Sequence, residues 1–392
     1  MSALLSTGEV NIMDKIKISI VTVVYNAVKT IERTIKSVIN QDYKELEYII
    51  IDGGSVDGTL EIIKKYENYI AYWISEPDHG IYSAMNKGIA VATGDVVAFL
   101  NSDDWYEEGV FKYVAECFKE DNEVLIGRVN FYNNDRIIRK SSTLCNPDDL
   151  RKRMIYCHQG VFVRKELFVK CGMFNEKYKI AADYDWLLRV YNEGIAFKNT
   201  DKILANFRTG GISSSKEANT ESWLISLNAL QKLKKQNRID IKEYERLKQE
   251  IMSLRQKINS IYCFRKALSE GLIEKFDIKE EIKLIFNFEQ KYSIFGCGKI
   301  GEECYELLRQ IDIEPIYFWD NAKAKWKTYF KGKIVRNPKD IKEKETIVII
   351  ASTYYEGEIK AQLEDMGLKE CIEFICYSKI RCKVGHIVEK NI

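Results

Sequence analysis

Residues 17–25 read KISIVTVVY, a run dominated by β-branched residues. Such a run predicts a strand that is buried on both faces of a parallel sheet. The apolar residues that follow it have the spacing of one helical face: Ile31, Ile35, Val38 and Ile39. The stretch therefore predicts a strand followed by an amphipathic helix, the first unit of an α/β fold.

The same alternation continues to residue 100. Strands are predicted at Glu47–Ile51, Ala71–Ser75 and Val96–Leu100, and helices at Leu60–Tyr69 and Ile81–Ala92. This rhythm indicates a parallel sheet with helices on both faces and right-handed crossovers.

Polar residues follow the carboxyl end of each predicted strand: Asn26, then 52–55 (DGGS), 76–79 (EPDH) and 101–104 (NSDD). Ligands of open α/β sheets bind outside these ends, so the residues are expected to converge on one crevice. A single Asp after a strand is usually a turn former or a helix N-cap. Four such strand ends together favour a site.

Asp103 and Asp104 are adjacent acids after the fourth strand. Two carboxylates this close repel each other unless a cation lies beside them. Mg or Mn, which prefer oxygen ligands, would resolve the repulsion and would also bind a diphosphate. The alternative is two solvated loop acids that cap the helix near Gly109.

Composition limits the classes of function. The 392 residues suggest two or three domains. A net charge of +2 argues against nucleic-acid binding. The sequence has no apolar run of about 20 residues that would cross a membrane, and Met1–Asp14 lacks the pattern of a signal peptide. Ten cysteines without C-x-x-C spacing indicate reduced thiols in a cytoplasmic protein.

Five segments, taken together, resemble bacterial family-2 glycosyltransferases. They are VTVVYNAVKTIERTIKSVINQ (21–41), IIIDGGSVDGT (49–59), SEPDHGIYSAMNKGIAVATGDVVAFLNSDD (75–104), HQGVFVRKELF (158–168) and AADYDWLLR (181–189). The resemblance covers about residues 15–215. It implies a GT-A fold with a mixed, mostly parallel sheet that binds a nucleotide-sugar. It also implies transfer of the sugar to a hydroxyl acceptor with inversion, assisted by Mn or Mg.

The resemblance also implies roles on the donor side. Asp52 would contact the uracil of a UDP-sugar, and Asp103 would bind the metal. Asn101 stands where the family's Asp-x-Asp motif has its first acid, and Asp104 is a candidate for contact with the sugar. The other donor-side positions implied are Val23, Tyr25, Asn26, Asp78, Asn86, Lys87 and Ser102.

Asp183 matches the acid of a family Glu-Asp motif, with Ala182 where Glu often stands. The resemblance implies that Asp183 is the catalytic base, since a hydroxyl is a poor nucleophile until a positioned carboxylate takes its proton. The alternatives are that Asp183 only caps the helix or that Asp185 is the base. The one-step displacement requires no enzyme nucleophile.

Three further residues are candidates for contact with ligands. His158 and Gln159 are predicted to contact the acceptor or the donor sugar, although a lone His is more often structural. Arg208 opens a glycine- and serine-rich segment, 208–213, which would act as a mobile lid because Arg binds phosphate oxygens bidentately. The alternative is a flexible exit from the domain.

The second half predicts a helical spacer and a smaller domain. An a/d stripe runs through Tyr244, Leu247, Ile251, Leu254, Ile258 and Ile261. It spans under three heptads, so packing of helix on helix is expected, with a dimer as the alternative. The sequence GCGKIG (296–301) lies between a predicted strand, 292–295, and a helix, with Asp320 about 20 residues on. Further strands are predicted at 315–319 and 347–351.

These features predict a Rossmann-like domain that resembles those fused to bacterial sugar-modifying enzymes. Its candidate nucleotide-binding residues are Gly296, Gly298, Gly301 and Asp320. NAD or SAM would be the cofactor, and a scaffold for packing or oligomerisation is the alternative.

The expected division of the chain is 1–215, 216–288 and 289–392. The expected function is a metal-dependent inverting glycosyltransferase whose acceptor is a saccharide, a lipid-linked saccharide or a protein. One alternative is an NAD- or SAM-dependent sugar-modifying enzyme. The other is a non-catalytic scaffold that binds a nucleotide-sugar, because Asn101 and Ala182 stand where the family motifs have acids.

Overall fold

The computed structural model describes residues 15–133, 136–141, 145–211, 215–270, 273, 282, 285–286, 290–341, 346–352, 355–370 and 374–391. The predicted lid residues 212 and 213 and the N-terminal segment 1–14 lie outside these ranges. The contacts divide the chain into two compact units, Met1–Ile251 and Met252–Ile392.

The first unit contains a large sheet flanked by helices. Its strands are β1 Ile18–Val24, β2 Leu46–Asp52, β3 Tyr72–Ser75, β4 Val96–Asn101, β5 Trp105–Tyr106, β6 Val124–Asn133, β7 Arg136–Lys140, β8 Val161–Arg164 and β9 Phe197–Arg208. Its helices are α1 Ile31–Ile39, α2 Thr59–Lys65, α3 Ile81–Val91, α4 Val110–Lys119, α5 Glu166–Lys170, α6 Ala182–Asn192, α7 Lys216–Lys235 and α8 Ile241–Ser269, the last of which continues into the second unit. Short 3-10 turns lie at Glu67–Tyr69, Pro147–Arg151 and His158–Gly160.

The strand order of this sheet is β3-β2-β1-β4-β8-β6-β9-β5, with β7 paired to β6. The pairs β1–β2, β2–β3 and β1–β4 are parallel, whereas β8 runs antiparallel to both β4 and β6. The sheet is therefore mixed, as predicted, and the α/β fold class is confirmed.

Strand β1 is buried along its whole length. Val21 and Val23 pack on one face of the sheet with residues of α3 and α6. Ile18, Ile20 and Val24 pack on the other face with residues of α1 and α4. The prediction of a strand buried on both faces is confirmed.

Helix α3 approaches β1 closely at Gly88. A Cβ atom at this position would lie 2.3 Å from Cγ1 of Val21, well inside van der Waals contact. The absence of a side chain at residue 88 therefore lets α3 lie directly on the central strand.

Helices α7 and α8 pack on each other in the first unit. Tyr244, Leu247 and Ile251 of α8 form an apolar cluster with Leu230 and Leu233 of α7. The first half of the predicted stripe therefore makes the expected contact of helix on helix. Within the described ranges, no helix is long and apolar enough to span a membrane.

The second unit contains a smaller sheet. Its strands are β10 Tyr292–Phe295, β11 Phe318–Trp319, β12 Tyr329–Phe330, β13 Lys333–Arg336, β14 Ile347–Ile350 and β15 Phe374–Cys376. Its further helices are α9 Lys299–Gln310, α10 Glu356–Asp365 and α11 Tyr377–Asn391. The strand order is β12-β13-β11-β10-β14-β15, and all neighbours except β12–β13 are parallel. The strand predicted over 315–319 is shorter than expected and covers only 318–319.

We expect the substitution Gly88→Ala to lower the free energy of unfolding by about 1–3 kcal/mol, because the added methyl overpacks the contact with Val21. Ala90→Lys, on the exposed side of the same helix, is the control and should change that free energy by less than about 0.5 kcal/mol. Urea unfolding of both variants measures the difference. Equal effects would contradict the close packing of α3 on β1.

Candidate active site

Asp52 lies at the carboxyl end of β2 with its side chain fully buried. Its Oδ2 accepts hydrogen bonds from the Gly54 N–H at 3.0 Å, the Ser55 N–H at 2.8 Å and the Ser75 hydroxyl at 2.6 Å. Its Oδ1 accepts one from the Ser55 hydroxyl at 2.5 Å. Asp52 therefore holds the loop that follows β2, and its contact with a nucleobase stays a prediction.

The ends of β1, β2 and β3 meet at Gly53. A Cβ atom there would lie 2.7 Å from Oδ2 of Asp78 and 3.5 Å from the Tyr25 ring. The Tyr25 side chain is 64% exposed. Asn26 has a positive φ of 48°, and its Oδ1 accepts a hydrogen bond from the Val56 N–H at 3.0 Å. Tyr25 and Asp78 are thus brought together beside an open surface.

Three other predicted donor-side residues are engaged within the protein. Val23 is buried in the core of the sheet. Lys87 donates to Oε1 of Glu76 at 2.7 Å. Asn86 donates to the Phe174 carbonyl at 3.0 Å and accepts from the Phe174 N–H at 3.0 Å. Asn86 therefore fastens α3 to the segment around residue 174.

Asp103 and Asp104 have different surroundings. Asp104 is fully buried, and its carboxylate accepts hydrogen bonds from the Arg208 N–H at 2.8 Å and the Gln159 side chain at 2.7 Å. Asp103 is partly exposed, like Ser102 before it. Burial raises the pKa of both carboxyls, and the charge of Asp103 raises the pKa of Asp104 further. Asp103 is therefore the member of the pair that a ligand can reach, and Asp104 holds Gln159 and Arg208 in place.

Three polar atoms near this pair are buried without a hydrogen-bond partner in the described part of the chain. They are Oδ1 of Asn101, Nε2 of His158 and Nε of Arg208. The charges of Arg208 and His158 both lower the pKa of Asp103, so these side chains lie within electrostatic range of it. Unpaired buried polar atoms are uncommon in folded proteins, and these three offer one acceptor and two donors to a ligand.

The oxygens at this site fit a hard divalent cation bound together with a substrate. The described ranges contain no cluster of three or more His, Cys, Asp or Glu side chains that could hold a metal. The Asp103 carboxylate and the unpaired Oδ1 of Asn101 nevertheless match the few protein ligands that Mg typically takes when substrate phosphates and water complete its shell.

Asp183 lies on the first turn of α6 and contacts two side chains. Its Oδ2 is 3.2 Å from Nδ1 of His158, and its Oδ1 is 2.9 Å from the Tyr82 hydroxyl. The N-cap position of α6 belongs to Ala181, where the described residues provide no side-chain cap. Asp183 is thus held by His158 and Tyr82 and does not occupy the capping position.

The contact between His158 and Asp183 is an ion pair when His158 is protonated. Burial lowers the pKa of His158, but the hydrogen bond and charge of Asp183 outweigh burial and leave it above its usual value. Burial raises the pKa of Asp183, but the bond and charge of His158 and the Tyr82 hydroxyl leave it below its usual value. Asp183 is therefore ionised at neutral pH, as a general base must be.

Asp185, the second candidate base, is engaged elsewhere. Its Oδ2 accepts a hydrogen bond from Nε of Arg189 at 3.0 Å, and Arg189 also donates to the Met173 carbonyl at 2.7 Å. Asp185 thus orients Arg189, which fastens α6 to the segment around residue 173.

Sequence reasoning missed Tyr82 and Glu221. Tyr82 lies inside a segment that carried the resemblance, four residues after Asp78, but nothing in the sequence pairs it with Asp183. Glu221, on α7, accepts hydrogen bonds from the backbone just before α6. It is one of many charged residues in its helix, so the sequence gives it no distinguishing signal.

Gly296 and Gly301 allow a tight turn between β10 and α9. Gly296 has a φ of +124°, and a Cβ atom there would lie 2.6 Å from the Ala351 carbonyl oxygen. A Cβ atom at Gly301 would lie 2.0 Å from the Gly296 carbonyl oxygen. A Cβ atom at Gly298 would meet no described atom within 4 Å.

Asp320 lies beside this turn with its carboxylate engaged. It accepts hydrogen bonds from the Cys297 N–H at 3.2 Å, the Ala322 N–H at 2.9 Å and Nζ of Lys325 at 2.7 Å. Burial raises its pKa, but these donors outweigh burial and lower it. Asp320 holds the glycine turn, and its contact with a nucleotide stays a prediction.

The chain is similar to several known proteins. The family model "Glycosyl transferase family 2" matches residues 19–174, and the model "C2185-like, N-terminal" matches residues 288–371. An "uncharacterized glycosyltransferase" of Mycobacterium tuberculosis (strain CDC 1551 / Oshkosh) is 33% identical over 211 residues, which cover 51% of this chain and 78% of the relative.

Two further proteins are similar. A "PGL/p-HBAD biosynthesis glycosyltransferase" of Mycobacterium bovis (strain BCG / Pasteur 1173P2) is 28% identical over 217 residues, which cover 50% of this chain and 79% of the relative. Among solved structures, S. aureus TarS 1–349 in complex with UDP-GlcNAc is 18% identical, with a TM-score of 0.49, over 81% of this chain and 98% of that one.

We expect the stability given by His158 to fall as the pH rises. The pKa of His158 is higher in the folded state than its unfolded value of 6.5. Protonation of His158 therefore stabilises the folded state fully at a pH below 6.5, and this stabilisation is lost as the pH rises through the pKa of the folded state. The melting-temperature difference between wild type and His158→Gln should therefore be largest at acidic pH and shrink above about pH 6.5. His79→Gln, at an exposed site, is the control, and a pH-independent difference for His158→Gln would contradict the ion pair.

Asp104→Asn should lower the free energy of unfolding by about 1–3 kcal/mol, because an amide cannot accept both of the hydrogen bonds that the carboxylate accepts. Asp103→Asn should change it by less than about 0.5 kcal/mol, because the Asp103 side chain is partly exposed. Either substitution removes the repulsion between the two acids, so this term does not distinguish them. Urea unfolding at pH 7 in the presence of a chelator compares the two variants. If Asp103→Asn proved the more damaging, the assignment of Asp104 as the structural member would be wrong.

Proposed function

The chain belongs to glycosyltransferase family 2 and is a glycosyltransferase, and we propose that it moves a sugar from a nucleotide diphosphate to a hydroxyl acceptor with inversion. The observation that carries this proposal is that His158, which contacts Asp183, also lies within electrostatic range of Asp103, so that two carboxylates share one site. The accessible Asp103 lies near three unpartnered polar atoms, and the ionised Asp183 is paired with His158. This arrangement provides one place for a leaving diphosphate and one for an attacking hydroxyl.

The donor is proposed to be a UDP-sugar whose base lies near Tyr25. The exposed Tyr25 ring offers a face for stacking, and the lack of a side chain at Gly53 lets Asp78 approach closely beside it. Asp52 and Asn26 act here by holding the loop after β2. The diphosphate would then lie toward Asn101 and Asp103, with Nε of Arg208 as a donor to its oxygens.

Mn or Mg would be held by Asp103 and Oδ1 of Asn101 and, when bound, would supply Lewis-acid stabilisation of the departing diphosphate. The positively charged side chain of Arg208 would also stabilise the negative charge of the departing diphosphate. The backbone N–H of Arg208 donates a hydrogen bond to Asp104, which holds this residue in place. Gln159 fixes Asp104 from the other side. Asp104 and Gln159 thus hold Arg208 in place and would not contact the diphosphate themselves.

Asp183 is proposed as the general base. The acceptor oxygen attacks the anomeric carbon, the bond from that carbon to the diphosphate breaks, and the acceptor proton passes to Asp183. A single displacement inverts the anomeric centre, and the transition state resembles an oxocarbenium ion. His158 and Tyr82 keep Asp183 ionised and oriented before the reaction.

The rest of the chain is proposed to follow the division 1–215, 216–288 and 289–392, in a cytoplasmic protein. The last part would be a Rossmann-like scaffold. Numbered along the chain, its five parallel strands β10, β11, β13, β14 and β15 have the order 3-2-1-4-5, which is typical of doubly wound nucleotide-binding sheets. Tight binding of NADH or SAM without turnover of any nucleotide-sugar would favour the alternative enzyme class.

Incubation with Mn or Mg and a panel of nucleotide-sugars and acceptors, scored by release of the nucleoside diphosphate, tests the proposal. Asp183→Asn should lower kcat by about 10²-fold to 10⁴-fold, the usual contribution of a positioned base. Asp103→Ala should also lower kcat and should reduce the dependence of the rate on the metal.

Asp185→Asn is the matched control, because this acid lies on the same helix and is engaged by Arg189. Its kcat should stay within about 10-fold of the wild type, below the usual range for loss of a base. If both Asp103→Ala and Asp183→Asn kept full activity, the site would be wrongly assigned. If Asp185→Asn alone abolished turnover, Asp185 would be the base.

A further inference from the structure

Glu221, on α7, binds three successive backbone N–H groups just before α6. Its Oε1 accepts the N–H of Lys179 at 2.7 Å. Its Oε2 accepts those of Ile180 at 2.8 Å and Ala181 at 3.0 Å. A carboxylate that accepts several backbone N–H groups makes charge-assisted hydrogen bonds, which are stronger than bonds between neutral groups.

The start of α6 has no side-chain cap from its own N-cap residue. Its N-cap residue is Ala181, which has no side-chain acceptor to offer, and the described residues provide no side-chain cap at that position. The N–H groups at a helix start require partners from elsewhere, and a negative charge there is favourable to the helix dipole. Glu221 accepts one of these N–H groups, that of the N-cap residue Ala181, together with the N–H groups of the two residues before it, and it places a negative charge near the start of α6.

The segment that Glu221 holds is joined to Asp183 by a short chain of contacts. The Ile180 carbonyl lies 2.7 Å from the Tyr82 hydroxyl, and that hydroxyl lies 2.9 Å from Oδ1 of Asp183. A shift of residue 180 would therefore move an acceptor of Tyr82 as well as the first turn that carries Asp183. A second contact, between the Tyr184 hydroxyl and the Ser226 hydroxyl at 2.8 Å, fastens α6 to α7 farther along.

We infer that Glu221 is a positioning residue for the catalytic base, and that α7 is a working part of the active site. The inference rests on the proposed role of Asp183. Glu221 holds the backbone that leads into the first turn of α6. The Tyr82 hydroxyl contacts both the Ile180 carbonyl in that backbone and the Asp183 carboxylate. Together these contacts place Asp183 against the acceptor hydroxyl. The Glu221 carboxylate acts through the backbone and does not itself touch the reacting atoms.

The test compares Glu221→Ala and Glu221→Gln in the full chain, with Glu217→Ala as the control. Glu217 is exposed and lies one turn earlier on the same helix. Misplacement of a catalytic group by about 1 Å can cost about 10²-fold, so Glu221→Ala should lower kcat by about 10-fold to 100-fold with the donor KM unchanged. Glu221→Gln keeps one side-chain acceptor oxygen and should restore part of the rate. Glu217→Ala should keep the wild-type kcat.

The readout that separates positioning from general stability is a double-mutant cycle with Asp183→Asn. Groups that act as a unit show strongly non-additive effects, so Glu221→Ala should cost much less in the Asp183→Asn background than in the wild type. A wild-type kcat for both Glu221 variants would overturn the inference. So would a double variant whose loss in kcat equals the product of the losses caused by Glu221→Ala and Asp183→Asn separately. If Glu221→Ala does not fold, Glu221→Gln is judged by the same two criteria. Full activity of Asp183→Asn alone would instead overturn the proposed base.

Discussion

The site depends on the in-register parallel pairing of β1 with its two neighbours. Val24 lies opposite Asp52 of β2, and Val23 lies opposite Asn101 of β4. Because all three strands run the same way and end at the same level, three separate loops leave the sheet side by side. A shift by one residue would turn every β1 side chain to the opposite face, and Val21 would lose its close contact with Gly88 of α3, which favours the observed register. The polar groups of the site converge because an apolar strand holds them there.

Some of the acids at this edge are buried and organise loops, and others remain partly accessible. Asp52 and Asp104 are fully buried, and donors from neighbouring segments fill their carboxylates. Asp103 and Asp183 keep part of their side chains accessible. A buried carboxylate that is fully hydrogen-bonded organises loops, because breaking its contacts would leave donors without partners. The two kinds of acid look alike in the sequence, and burial is what separates them.

The sequence predicted the elements better than the contacts between them. Strands β1 to β4 and the α/β class follow from the pattern of apolar residues in the local sequence, whereas β5 to β9 were not predicted. The partners of Asp183 do not, because His158 and Tyr82 lie 25 and 101 positions away and meet it only after the sheet forms. Glu221 is hidden for the same reason: it caps a helix that it does not belong to. The role of Asp104 depends on its complete burial, which a pair of adjacent acids in a turn does not reveal.

The contacts that hold Asp183 fix the position of its carboxylate but make it a weaker base. His158 and Tyr82 lower its pKa, which keeps the carboxylate ionised but also makes it a weaker proton acceptor. In a displacement through an oxocarbenium-like transition state, bond breaking to the leaving group leads, and the attacking hydroxyl becomes acidic as its bond to carbon forms. A weak base in the right place can then take the proton, while a stronger but mobile base would lose more through poor alignment. In the proposed role of Asp183 as the base, the two side chains that contact it and the helix that holds the preceding segment would all serve to place the carboxylate.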